Sequence, residues 1–273
     1  MGVVSELAAA AFGDRPDLPV SAVPDEPRER WLAAVVLGGQ GRYAAAAALL
    51  NDLITHPDPE TAALACATLA SHRRQLGGHA AARVLDAAGH ARVAGRTGLA
   101  EARSDVLLGL AADAVGAGRL GEARRLVARA PEAGWRGAVR RGWVSAEIEL
   151  SAGAAAAAVA HASPAADLAA GSGSVRHRIK SGLVLGAALA ANGEHAAAAK
   201  IVRPALDLAE DLGLLSLVWP GALIMADLDP EGGGDFCQCA GLALQSVLRR
   251  ADPVGRRLAE RSPWVPRLAG PTG

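Results

Sequence analysis

Five glycines, Gly41, Gly77, Gly118, Gly153 and Gly193, punctuate the chain at intervals of 36, 41, 35 and 40 residues. No other feature limits the fold so tightly. Self-similarity at a period of about 20–50 residues is the mark of a repeat architecture, in which each unit hides its apolar face only by stacking on the next. The clearest statement of the unit is Gly41-Arg42-Tyr43-Ala44-Ala45-Ala46, with copies beginning at Gly77, Gly118 and Gly193. A degraded copy at Gly153 opens another five-alanine run. Each glycine sits between two helical patterns. Before Gly118, Val106, Leu107, Leu110, Ala111 and Ala114 recur at helical spacing; after Gly193, Ile201, Val202, Ala205, Leu208 and Leu212 do so. Glycine permits the tight turn, and alanine lets two helix backbones approach closely.

Composition agrees with helices throughout. The hydrophobic fraction is 51% but the aromatic fraction only 3%, so the apolar mass is alanine, leucine and valine. Alanine gives up no side-chain entropy in a helix, and the alternation that a half-buried strand needs is missing. The expected class is all-α. With 28 basic and 28 acidic residues the net charge is zero, which gives no global attraction to nucleic acid or an anionic membrane. Three cysteines, Cys66, Cys237 and Cys239, form no disulfide framework and fit a reducing compartment. No signal peptide and no apolar span of about 18 residues is read. A cytoplasmic protein with no membrane contact is expected.

The glycine joint, a large residue two places later and a small one five places later resemble the tetratricopeptide repeat family. Tyr43 with Ala46, Leu120 with Ala123 and His195 with Ala198 carry the match. The family's early Trp-Leu-Gly survives only as Trp31-Leu32, one position out of register. The spacings also exceed the family's repeat of about 34 residues. The resemblance implies a right-handed superhelical stack of five to six antiparallel helix pairs, with the first helix of each pair lining a concave face. It covers residues 28–215. Residues 1–27 read as a short helix from Val4 to Phe12 and a linker, 216–261 as a C-terminal hairpin and cap, and 262–273 as a frayed tail. A helix break is expected near Trp219-Pro220, and a flexible connection at 171–174. Asp58-Pro59 and Asp252-Pro253 are helix starts, aspartate accepting from free N–H groups and proline fitting the first turn.

Motifs for chemistry are sparse. The sequence holds no nucleophile elbow, phosphate loop or paired-histidine zinc motif, and no cofactor is expected. Residues 227–238 place oxygen ligands at calcium-loop spacing, but Gln238 stands where a bidentate glutamate belongs. An acidic turn between helices is the preferred reading. Cys237 and Cys239 read as structural thiols, and the seven histidines do not cluster. His79 and His195 take the large position of the joint.

The tetratricopeptide resemblance points instead to early positions of each first helix. The second position falls on Arg28, Leu64, Asp105, Arg140 and Lys180; the fifth on Trp31, Ala67, Leu108, Trp143 and Leu183. Arg28 with Trp31, and Arg140 with Trp143 and Glu147, would face the groove as aromatic-plus-basic groups. Such groups suit an acidic or C-terminal peptide, because arginine grips a carboxylate bidentately. The expected function is a non-catalytic scaffold binding a protein or peptide partner, with no preference for any oligomeric state. The alternatives are a nucleic-acid-associated regulatory component, suggested by basic runs such as VRHRIK at 175–180, and an α-helical enzyme. Interspersed acids and few stacking aromatics argue against the former.

Overall fold

The computed structural model describes residues 3–266. Helix fills most of that span, and no strand occurs among the described residues. Helix α1 (Val3–Phe12) precedes six hairpins. Their first helices are α2 (Pro27–Gly39), α4 (Pro59–Gln75), α6 (Ala100–Gly116), α8 (Gly134–Ser151), α10 (Val175–Ala191) and α12 (Leu215–Leu228). Their second helices are α3 (Tyr43–Leu53), α5 (His79–Val93), α7 (Leu120–Arg129), α9 (Ala155–Gly171), α11 (His195–Asp211) and α13 (Gly233–Arg249). A last helix, α14 (Pro253–Arg261), follows.

The five glycine joints are one structure repeated. At each, three residues link the helices, and the glycine has a φ between +70° and +83°. The residue after it donates back to the fifth residue before itself along the closing helix: Arg42 to Leu37 O at 2.8 Å, Ala154 to Glu149 O at 2.9 Å. The glycine donates two residues inside that bond, as from Gly41 to Gly38 O at 3.1 Å. This closes the helix end on a left-handed residue, which only glycine takes without strain. Five residues after the glycine, Ala46, Ala82, Ala123, Ala158 and Ala198 are all fully buried. The small residue is thus the invariant part of the joint. The large one is not: Tyr43 is buried, Leu120 half-buried and His195 exposed. His195 therefore takes the joint's large position without being packed, exposed at the start of α11.

Other local signals hold. Asp58 accepts from Thr61 N at 2.8 Å, and Asp252 from Val254 N and Gly255 N at 3.0 and 3.1 Å. Some expectations do not. Helix α12 runs unbroken through Pro220, its sixth residue; the missing N–H removes one helical bond, to Ser216 O, without ending the helix. Residues 172–174 are a packed turn: Ser174 is buried with its Oγ 2.8 Å from His177 Nδ1, and Val175 N donates to Gly13 O. In α11 the buried stripe is Ala198, Val202, Leu206 and Ala209, rotated from the expected one.

Successive first helices touch, and the last, α12, returns to the first, α2. Ser216 Oγ donates to Gly39 O at 2.8 Å, Ala44 N donates to Arg250 O at 2.7 Å, and Arg73 pairs with Asp252 at 2.6 Å. A cluster of Tyr43, Leu76, Leu244, Val247, Ala251, Ala259 and Val265 seals this seam. The stack therefore comes round on itself and encloses its inner face, where an open groove was expected. Residues 3–26 contribute α1 and a strap held by Gln40 Nε2 to Pro16 O and Leu18 O. Of the tail 262–273, the described part docks: Ser262 Oγ bonds Gly77 O, and Val265 is buried. Residues 267–273 lie outside the described residues. Among the described residues, no helix is long and apolar enough to cross a membrane.

Candidate binding site

All six first helices supply walls to one central cavity of about 140 Å³. Their inward positions are set by the joints, which fix where each first helix ends and hence its rotation against the next. Trp31 from α2, Arg140, Trp143 and Glu147 from α8, and Lys180 from α10 all line it, although α2 and α10 are far apart in sequence. Ala67, Asp105 and Leu108, at equivalent positions of α4 and α6, line it too. Arg28 does not. Its guanidinium lies 4.3 Å from the centre of the Trp31 ring and is not part of the cavity lining.

The two tryptophans are anchored by their donors. Trp31 Nε1 bonds Thr68 Oγ1 at 2.9 Å and Leu64 O at 3.2 Å; Trp143 Nε1 bonds Ser181 Oγ at 2.8 Å. What they present inward is ring face. The His177 ring stacks on Trp143 at 5.5 Å, and Lys180 Nζ lies 4.6 Å from the Trp143 ring centre, a cation over a π face. Phe12 of α1 reaches in beside them, 5.5 Å from Trp31 and under the Arg136 guanidinium at 5.1 Å.

Charge in the walls is dense and mostly matched. Arg74 donates from Nε to Asp113 at 2.8 Å and from Nη2 to Asp86, both acids fully buried. Burial pulls the Arg74 guanidinium down, but the two carboxylates more than offset it and hold it above its ordinary value. Burial lifts Asp86 well above the usual carboxylate range, against the pull of Arg74, with which Asp113 also pairs. Gly109 makes this possible: a Cβ there would stand 2.2 Å from Asp86 Oδ2. Arg136 reaches Glu101 and Asp105, both at 2.7 Å, and Arg140 shares Asp105 at 2.7 Å. Burial lowers Arg140, opposed by Asp105.

Two cations lack such partners. Arg176 and Lys180 have no carboxylate within ion-pair distance among the described residues, and Arg176 Nε is buried without a hydrogen-bond partner. Burial, then the neighbouring Arg136 and Arg140, brings Arg176 down to about 10; burial, eased by Glu147, brings Lys180 down to about 8. Both stay predominantly charged at neutral pH. His72 and His177 are pushed the other way from protonation: burial takes His72 down to about 3, and His177 well below its ordinary value. They are neutral walls.

Arg74, Arg136, Arg176, His72, His177 and Phe12 were absent from the sequence-derived site. A signal did exist. Arg136 with Arg140, and Arg176 with Lys180, stand four apart on one helix, so each pair shares a face. Of the basic run VRHRIK, the sequence-derived site included only Lys180, whereas Arg176 and His177 line the cavity as well. Elsewhere, Arg141 donates to Val127 O and Ala130 O, both at 2.6 Å, locking the end of α7.

Chemically the cavity offers cations and π faces. The hydroxyls of Thr68 and Ser216 are spent on backbone carbonyls at 2.8 Å. The serine–histidine pair Ser174 with His177 is a lock at the start of α10 with both groups buried. The acidic stretch 227–238 makes only a four-residue turn; α13 starts at Gly233, so Asp235 and Gln238 are helical and no twelve-residue loop exists to wrap a cation. Cys237 is exposed rather than structural, since it faces outward on α13. Cys239 is half-buried with its Sγ on Glu210 at 2.9 Å. No protein-family model matches the chain, and no curated protein matches it.

Proposed function

We propose that this chain is a non-catalytic, tetratricopeptide-like scaffold that receives an acidic or carboxylate-ended peptide of a partner protein in its central cavity. The observation that carries the reading is the meeting of Trp31, Arg140, Trp143 and Lys180, from three helices remote in sequence, on one enclosed surface. Arginine and lysine supply charge for a carboxylate, and ring faces supply contact area with little rotamer entropy to lose. The cavity, about 140 Å³, is below the range of roughly 300–1,000 Å³ usual for drug-sized ligands. A peptide end or one acidic side chain fits that space, and the rest of the segment lies outside it.

The test is a fluorescence-anisotropy titration with labelled hexaglutamate bearing a free C-terminus, at low salt, against a neutral peptide of equal length. Arg140→Met and Lys180→Met should each weaken hexaglutamate binding by about tenfold, the scale of about 1.4 kcal/mol, with helicity unchanged by circular dichroism. Hexaglutamate binding no tighter than the neutral peptide, or equal binding by Lys180→Met, refutes the reading.

A further inference from the structure

We propose that the central cavity is a site for one small oxyanion, a phosphate or carboxylate group, gripped by Arg176 with Lys180 and Arg140 beside it. The inference rests on the cavity being the binding site and adds which residue holds the ligand and what chemistry it recognises.

The argument is one of charge accounting. Five cations line the cavity, Arg74, Arg136, Arg140, Arg176 and Lys180, against two carboxylates, Asp105 and Glu147. Behind the wall, Asp86 and Asp113 answer Arg74, and Glu101 answers Arg136. Asp105 is divided between Arg136 and Arg140. Glu147 eases the burial of Lys180. Arg176 is left over: Asp86, Asp113, Glu101 and Asp105 are bonded to other arginines, and its own neighbours include Arg136 and Arg140. Its Nε is closed off from solvent with no acceptor in reach.

Arg176 is half-buried with its Nε sealed from solvent; drawing a guanidinium out of water without a counter-charge is unfavourable, and a chain gains nothing by placing one there for packing alone. A methionine would fill the same stem space. The room left is right for a compact anion. The cavity is about 140 Å³, and an ordered water takes about 30 Å³ of liquid volume, so a few waters or one oxyanion with a short stem fit. The planar fork of Arg176 suits two oxygens of a carboxylate or phosphate, and the ammonium of Lys180 a third.

The experiment measures thermal midpoints and calorimetric titrations of the full chain with sodium phosphate, sodium sulfate and sodium acetate, each against sodium chloride at matched ionic strength. Wild type, Arg176→Met and Lys180→Met are compared. One or more of the oxyanions should raise the wild-type midpoint above chloride, and Arg176→Met should weaken that anion's binding at least tenfold. In chloride alone Arg176→Met should be as stable as wild type or more so, because it removes an unmatched charge. A purely structural arginine would give the opposite. Response to phosphate and sulfate identifies a phosphoryl-type group; response to acetate alone identifies a carboxylate. No oxyanion acting beyond chloride, an undiminished response in both variants, or a destabilised Arg176→Met in chloride overturns the proposal. Anion binding without hexaglutamate binding leaves the site standing and removes the peptide reading; hexaglutamate binding without any anion effect does the reverse.

Discussion

Tyr43 is the single tyrosine of the chain and stands at the seam where the sixth hairpin meets the first. Its side chain is 1% exposed, its ring stacks on His72 at 4.9 Å, and its hydroxyl bonds Gln75 Oε1. Tyr43→Phe keeps the ring and loses one hydrogen bond, worth about 1 kcal/mol. Tyr43→Ala empties the space among Leu76, Leu244, Val247 and Ala251; aromatic-to-alanine changes in cores cost about 3–5 kcal/mol. At about 2–4 °C per kcal/mol, the alanine variant should melt near 10 °C below wild type and the phenylalanine variant only a few degrees below. Location sharpens the test. Ala44 N donates to Arg250 O across the seam, so its amide reports closure directly. Hydrogen exchange should rise at Ala44 and through α13 and α14 in Tyr43→Ala, while α6 to α9 stay protected. Equal midpoints for the two variants, or unchanged exchange at Ala44 despite a fallen midpoint, would refute the role of Tyr43 as the closing plug.

Two further outcomes follow from the same geometry. His72 is held at about 3 by burial, against an ordinary value of 6.5; the folded state resists the proton, so stability is full above about pH 6.5 and falls as pH drops toward 3. His177 acts in the same direction. The unfolding free energy from urea titration should decline from pH 6.5 to 5 by up to about 1.4 kcal/mol per unit for each such histidine, and His72→Phe should flatten that slope; an unchanged slope contradicts the assignment. Glycine joints should differ in cost. Gly118→Ala meets open space and pays only for a left-handed alanine, about 1–2 kcal/mol. Gly41→Ala adds a clash 2.9 Å from Val247 Cγ2 and 3.2 Å from Leu215 Cβ, so denaturant titration should find it clearly the more damaging; equal losses would mean that the seam yields freely.

The sequence by itself determined the hairpins. A left-handed glycine, an alanine five places on and the helix-start aspartates act within a few residues, so Gly41, Ala46 and Asp58 could be read locally and are found so placed. Positions carried over from the tetratricopeptide resemblance pointed to Trp31, Arg140, Trp143, Glu147 and Lys180, which line one cavity, and to Arg28, which does not. Only the tertiary structure decided that this surface is enclosed. Closure sums the small rotation at every hairpin interface, and no one residue carries that sum. It also decided which charges are answered. Arg176 reads in the sequence as one member of a basic run; its isolation depends on Asp86, Asp105 and Asp113 having been claimed by other arginines brought in from neighbouring helices.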